Sequence, residues 1–370
     1  MFWLILAAAL LLLVEAGCFV LVRSRPDLFD RRIPALNMLQ PDYFARFKEQ
    51  HASAVLGWDH PASRTITVRS CTGAELIQTY GAARERVQGN SEEAVVLVTG
   101  DSFTHGDDAA DTETYPAELE RMLGVATANL GVGGYDPLQA LLKLEASVRH
   151  FPKARIGVLS ISHDDAYRLP NSFRPVLFAS TGLHFGLKPY VRDGHVHGLV
   201  GGDPFRDLNA MHKAAWDAFD TDYWRRAQAR FPYSRAVAEM LSLPSFWVPQ
   251  LLSLGELFGY PPFDLVYRLP EIATDLRTVY ARFAAFAKSS GLIPVVVLIP
   301  EHMRDAPSGL VAIAAATPEQ RAAITFVNAA WPDPAYYTKT PGCHPQAQGY
   351  RLIAETVAEA LRPLLSRERP

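Results

Sequence analysis

The chain has 370 residues, 49% hydrophobic and 20% charged, and 36 basic against 39 acidic residues leave a formal net charge of −3. This much apolar material can bury a core, which excludes wholesale disorder, and the near-neutral balance argues against a nucleic-acid partner, whose binding surfaces are basic. With 3 cysteines, neither a disulfide framework nor a cysteine-rich zinc module is possible, and at roughly 150 residues per domain the length allows two or three domains or one large domain with insertions.

Residues 1–22 read MFWLILAAALLLLVEAGCFVLV, an apolar run broken only by Glu15. About 20 such residues cross a hydrocarbon core as a helix, so an uncleaved transmembrane anchor is expected. A cleaved signal peptide is the competitor, but the start carries no Lys or Arg. Ala16-Gly17-Cys18 hints at a lipoprotein site, yet Glu15 stands where an aliphatic residue is expected. Arg23 and Arg25 follow the span, and the positive-inside rule assigns them to the cytoplasmic side.

Residues 23–90 form an irregular N-terminal extension punctuated by Pro26, Pro34, Pro41 and Pro61. From Thr65 to Arg69 polar and apolar residues alternate, as in a half-buried strand. Residues 94–99 (AVVLVT), 155–161 (RIGVLSI) and 293–299 (IPVVVLI) are short continuous apolar runs, the pattern of strands buried on both faces. Residues 127–130 lead into a glycine-rich turn. Helices are expected over 115–123, with Pro116 in the first turn, over 138–148, over 275–289, and from Gln346 to about Leu361, where Pro363 should prevent extension.

Alternating strands and helices specify an α/β fold: a three-layer, doubly wound parallel sheet over 91–370. The alternation fails between about 170 and 270, which reads as an inserted cap. His184, His195, His197 and His212 within or beside it match no standard ligand spacing, so no metal and no cofactor are expected.

In a doubly wound sheet, ligands bind outside the carboxyl ends of the strands. The polar groups there are Gly100-Asp101-Ser102-Phe103-Thr104-His105-Gly106, the loop of residues 129–135 (NLGVGGY), and Ser160-Ile161-Ser162-His163-Asp164-Asp165. The loop Gly342-Cys343-His344-Pro345 precedes the last helix. A serine is a nucleophile only when a base takes its proton, and His344 is the obvious supplier. Amides of Ser102 and the glycine loop would form an oxyanion hole. Asp101 reads as a structural residue bonding nearby backbone, and His105 as an ordinary loop residue.

Here the chain resembles the SGNH (GDSL-like) hydrolases. VLVTGDSFTHG is similar to their first block, with Ser102 as nucleophile. NLGVGGYDPLQ is similar to the second, with Gly134 as oxyanion glycine, and CHPQAQGYRLIAE to the last, with His344 as base. Leu56-Gly57-Trp58, the TYP of residues 114–116 and the anchor with its late Glu resemble a membrane-anchored bacterial branch. Two departures stand out. The family's Asp three residues before the histidine is Pro341 here, which leaves Glu301 or Asp333 as acid, or a Ser–His dyad. The family's oxyanion Asn is replaced within SHDD by His163 or Asp164, with Asp165 also in register.

The resemblance implies a serine-dependent ester hydrolase working through an acyl-enzyme on Ser102. The implied substrate is an acyl ester, preferably of an O-acetylated glycan. The alternatives are a polysaccharide O-acyltransferase at the same site and a catalytically lapsed glycan-binding protein. It also implies an extracytoplasmic (periplasmic) catalytic domain, against the bias of Arg23 and Arg25. Cys71 and Cys343 are free thiols or, outside the cytoplasm, a bridge bracing His344.

Overall fold

A computed structural model of the chain describes residues 1–30, 40–177, 186–258, 262–300, 306–329 and 344–366. At its centre is a five-stranded sheet: β1 (Val96–Thr99), β2 (Thr127–Asn129), β3 (Ile156–Ser162), β4 (Ile293–Ile299) and β5 (Thr325–Asn328). The spatial order is β2-β1-β3-β4-β5 and every pairing is parallel. Val98 lies opposite Val158, and Val295 opposite both Val158 and Thr325, so the carboxyl ends share one rim. The order reverses between β1 and β3, and at such a switch point the crossovers part and leave a crevice.

The apolar runs form strands because both faces are covered. Val96, Val98, Ile156, Val158, Val295, Val297 and Ile299 pack against Tyr115 and Leu119 and against Tyr350, Ile353, Val357 and Leu361. The alternate residues Leu97, Leu159, Ile161, Val296 and Leu298 pack on the other face, against Leu138, Leu141 and Leu144 and against Leu276, Val279 and Phe283. The helices supplying these side chains are α3 (Tyr115–Leu123), α4 (Pro137–Ser147), α6 (Pro270–Ser290) and α7 (Ala347–Leu365). Each fully buried aliphatic or aromatic side chain contributes about 1.5–3 kcal/mol, so the two layers dominate stability.

Local signals set the helix ends. Thr114 caps α3 by accepting from Ala117 N–H, Asp136 caps α4 by accepting from Gln139 N–H, and each helix opens on a proline in its first turn. The last helix differs from expectation, running through Pro363 to Leu365. The carbonyl robbed of its donor belongs to Glu359, which like Pro363 is exposed to water, while buried Leu361 and Leu364 hold the final turn against the core.

Before the sheet lies α1 (Phe2–Ser24), an apolar helix long enough to cross a membrane, with mean hydropathy 2.7. The alternating segment at 64–69 forms a hairpin with Glu75–Tyr80. Between β3 and α6 come a small hairpin (Tyr190–Arg192 with His195–His197) and short helices, among them Leu208–Thr221, α5 (Tyr233–Ser242) and Pro244–Leu257. The four-residue turn α2 (Ser102–His105) follows β1 directly.

Candidate active site

The Ser102 turn sits at the switch-point crevice. Gly100 lets the chain bend there: a Cβ on it would stand 2.2 Å from Thr104 Oγ1 and 2.9 Å from Ser160 Cβ. Asp101 caps α2, its Oδ1 accepting from Phe103 N–H at 2.9 Å while Oδ2 pairs with Arg168 at 3.2 Å. Ser102 is thereby fixed at the start of the turn, 8% exposed. Gly106, with φ 81°, ends the turn in the left-handed region and redirects the chain.

The loop beyond is built around a cation that sequence reasoning missed. Arg86, fully buried, donates to the carbonyls of His105, Gly106 and Ala109 at 2.6–2.8 Å, and its Nε pairs with Asp111 at 2.8 Å. Backbone carbonyls without water need donors, and one guanidinium supplies several in a fixed plane. The wrapped loop presents Asp107 and Asp108.

Asp108 supplies the carboxylate that Pro341 withholds. Its Oδ2 accepts from His344 N–H at 3.0 Å and meets His344 Nδ1 at 3.1 Å, and its Oδ1 accepts from Cys71 N–H at 2.7 Å. A carboxylate only accepts, so Nδ1 carries the proton and Nε2 of the neutral ring is left to accept one. Burial opposes charge on His344 but is outweighed by the Asp108 hydrogen bond and by the charges of Asp107, Asp108 and Asp101, which raise its pKa to about 9. Burial likewise opposes charge on Asp108, and its bonds to His344 overcome this and lower it to about 2. His344 moves further because Asp107 and Asp101 also act on it.

The imidazole and the nucleophile candidate share one rim. The ring of Phe103, next to Ser102, meets the His344 ring edge-on at 5.4 Å. Among the described residues no hydrogen bond joins Ser102 to His344.

The remaining expected site residues are placed as follows. Gly134 has φ 77° on the loop after β2, beside Gly133. The Asp164 carboxylate is bonded to Arg168 at 2.6 Å, and that arginine also holds Asp165 at 2.9 Å and the Tyr135 carbonyl at 2.9 Å. An ionised Asp164 has no proton to offer an oxyanion. His163 lines a small cavity with Tyr267, Leu298 and Ile299. Glu301, Asp333, Pro341 and Cys343 lie outside the described residues, as does His184. Cys71 is disulfide-bonded and Cys18 is free.

His105 is not an ordinary loop residue. It is 3% exposed, with Nδ1 2.5 Å from Asp107 and Nε2 3.0 Å from the Tyr80 hydroxyl, and His60 stacks on both rings at 4.4 Å. Burial depresses the pKa of His60 and, despite Asp107, that of His105. These groups line a cavity of about 580 Å³ together with His51, Trp58, Asp59, Asp108, Gly133 and His344. Ser102 is not among its lining residues. Much of the wall comes from residues 51–80, so the N-terminal extension closes the pocket. It is tied down there by Trp58, whose Nε1 donates to the Gly133 carbonyl at 3.2 Å and whose carbonyl accepts from Tyr135 at 2.6 Å.

No family model and no curated protein matches the chain. Among solved structures, it aligns with a provisionally assigned lipolytic protein of the G-D-S-L family from Desulfitobacterium hafniense DCB-2, at 12% identity over 72% of this chain and 98% of that one, with a TM-score of 0.34.

Proposed function

We propose that this chain is a membrane-anchored serine ester hydrolase. One observation carries the reading: the Asp108 carboxylate grips both the backbone N–H and Nδ1 of His344 on the rim that holds the Ser102 turn. Ser102 Oγ attacks the acyl carbonyl, and His344 Nε2 takes its proton while Asp108 stabilises the imidazolium. The amides of Ser102 and Gly134 hold the oxyanion. The imidazolium returns its proton to the departing alcohol, leaving an acyl-enzyme on Ser102. Water, deprotonated by the same nitrogen, releases the acid and restores the serine. Oγ comes within reach of Nε2 as substrate binds, since catalytic hydrogen bonds often tighten only in the complex.

An acyl ester of a glycan, such as an O-acetylated sugar, is the substrate class we favour, and the resemblance in the sequence blocks supports it. A polysaccharide O-acyltransferase would use the same groups with a sugar hydroxyl in place of water. A lapsed glycan-binding protein is the third reading, motivated by Pro341 and SHDD at the positions of the family's Asp and Asn. The catalytic domain is assigned to the extracytoplasmic face, which a C-terminal reporter fusion tests.

The deciding experiment is p-nitrophenyl acetate hydrolysis by full-length protein and by Ser102→Ala at pH 9. Turnover abolished by the substitution supports the reading. An equal rate in both removes the serine from the mechanism, and no turnover in either favours the lapsed protein. With an acetyl donor and an oligosaccharide acceptor, free acetate indicates hydrolysis and acetylated sugar indicates transfer.

A further inference from the structure

The anchor carries a charge in its apolar run, and the inserted region answers it. Glu15 Oε2 accepts from Tyr233 N–H at 2.8 Å, and Oε1 accepts from Ser234 N–H at 3.1 Å and from the Ser234 hydroxyl. These donors are the first turn of α5, whose own N-cap, Pro232, offers no side chain. A carboxylate therefore caps this helix, where its charge meets the positive end of the dipole. The packing continues along the anchor: Phe19 meets Tyr233 at 5.2 Å, and Val22 joins Ala236, Met240 and Leu243 in one buried cluster.

The depth of this contact follows from helix geometry. Glu15 lies 8 residues before Arg23, about 12 Å along the axis at 1.5 Å per residue. A hydrocarbon core of about 30 Å needs roughly 20 residues, so a span starting near Met1 reaches about residue 21. The start of α5 thus lies below the headgroups on the Arg23 side. The next helix, Pro244–Leu257, turns an apolar stripe outward: Trp247 is 51%, Leu251 44%, Leu254 52% and Phe258 71% exposed. The spacing of 4 and 3 residues puts Trp247, Leu251 and Leu254 on one helical face, and Phe258 follows directly past the helix end. Exposed Arg226, Arg230 and Arg235 lie just before and within α5, with stems long enough to reach lipid phosphates.

We propose that residues 231–258 form a monotopic membrane element, seated beside the anchor in the same leaflet, with the stripe Trp247/Leu251/Leu254/Phe258 against acyl chains. α5 packs against both α1 and the helix Pro244–Leu257, so the stripe stands one helix away from the anchor, and the occupant is the bilayer itself. The inference rests on the anchor reading. The element holds the domain at a fixed height and orientation on the membrane, where a free tether would let it tumble.

Full-length protein in a Cys18→Ala background, reconstituted in phosphatidylcholine–phosphatidylglycerol vesicles, tests this with nitroxides at Leu251→Cys, Leu254→Cys, Leu10→Cys and Lys213→Cys. Collision with oxygen exceeding collision with a water-soluble nickel chelate at 251 and 254, as at 10 and opposite to 213, is the expected result. Nickel accessibility matching position 213 overturns the proposal, as does low accessibility to both agents, which would mean a second protein copy covers the stripe. Intact mass of the membrane-extracted protein checks the anchor separately: loss of the first residues would end the anchor reading whatever the labels at 251 and 254 report.

Discussion

Replacing Asp108 by asparagine separates the two jobs assigned to the carboxylate. The amide is nearly isosteric but carries a single oxygen: turned toward His344 it still accepts from that N–H, now bonded at 3.0 Å, while its NH2 faces the Cys71 N–H that Oδ1 binds at 2.7 Å. What disappears is the charge facing Nδ1. The wild-type imidazole, with its pKa raised to about 9, is neutral in only about one molecule in a hundred at pH 7. A base must be neutral to act, so wild-type kcat/KM should climb about tenfold per pH unit and level off above pH 9. In Asp108→Asn the limb should move to lower pH, because burial then opposes the charged ring with only Asp107 and Asp101 left to favour it. The plateau should fall by about 10²–10⁴-fold, the scale seen when a triad carboxylate no longer fixes the tautomer. The assay is the pH profile of p-nitrophenyl acetate hydrolysis corrected for the buffer rate, with circular dichroism to confirm folding. An unchanged limb and plateau in the folded variant would refute the pairing of Asp108 with a working base.

Stability should also titrate. His344 has a folded pKa raised from 6.5 to about 9, so its contribution is complete below pH 6.5 and is lost as pH rises through 9, by about 3 kcal/mol. Denaturant melts of the detergent-solubilised protein should show that loss in wild type and not in His344→Ala. Arg168→Met should cost about 3–5 kcal/mol or abolish folding, because Asp101, Asp164 and Asp165 lose the guanidinium they share. A wild-type melting temperature would contradict that. Gly131→Ala places a Cβ 2.4 Å from His105 N, and this backbone cannot rotate away. It should destabilise by about 1–3 kcal/mol and lower activity by displacing the Ser102 turn, and full retention of both would show the loop to be pliable.

The parts legible in the sequence share a physical reason. Residues 94–99, 155–161 and 293–299 are mostly apolar on both alternating sets of positions because both faces are covered, and that needs no knowledge of partners. Residues 115–123 carry their own cap and proline, so the expected helix has the observed bounds. Asp108 was hidden because its relation to His344 spans 236 residues of chain and depends on a loop shaped by Arg86. No spacing rule encodes that. The pattern GDD after His105 shows only surplus carboxylates. His105 looked like loop because Tyr80 and His60, its partners, come from the extension. The stop expected at Pro363 failed because a local rule met tertiary packing that outweighed one exposed carbonyl. Glu15 was visible as an oddity in the anchor, and its explanation lay in the first turn of a helix more than 200 residues away.

The most direct test of the account maps the adduct of a fluorophosphonate on intact, detergent-solubilised protein by peptide mass spectrometry, across pH 6 to 10. Modification confined to Ser102, accelerating toward pH 9 and lost in His344→Ala, is the predicted result. Labelling elsewhere, or a rate at Ser102 indifferent to pH and to His344, would contradict a serine activated by that imidazole.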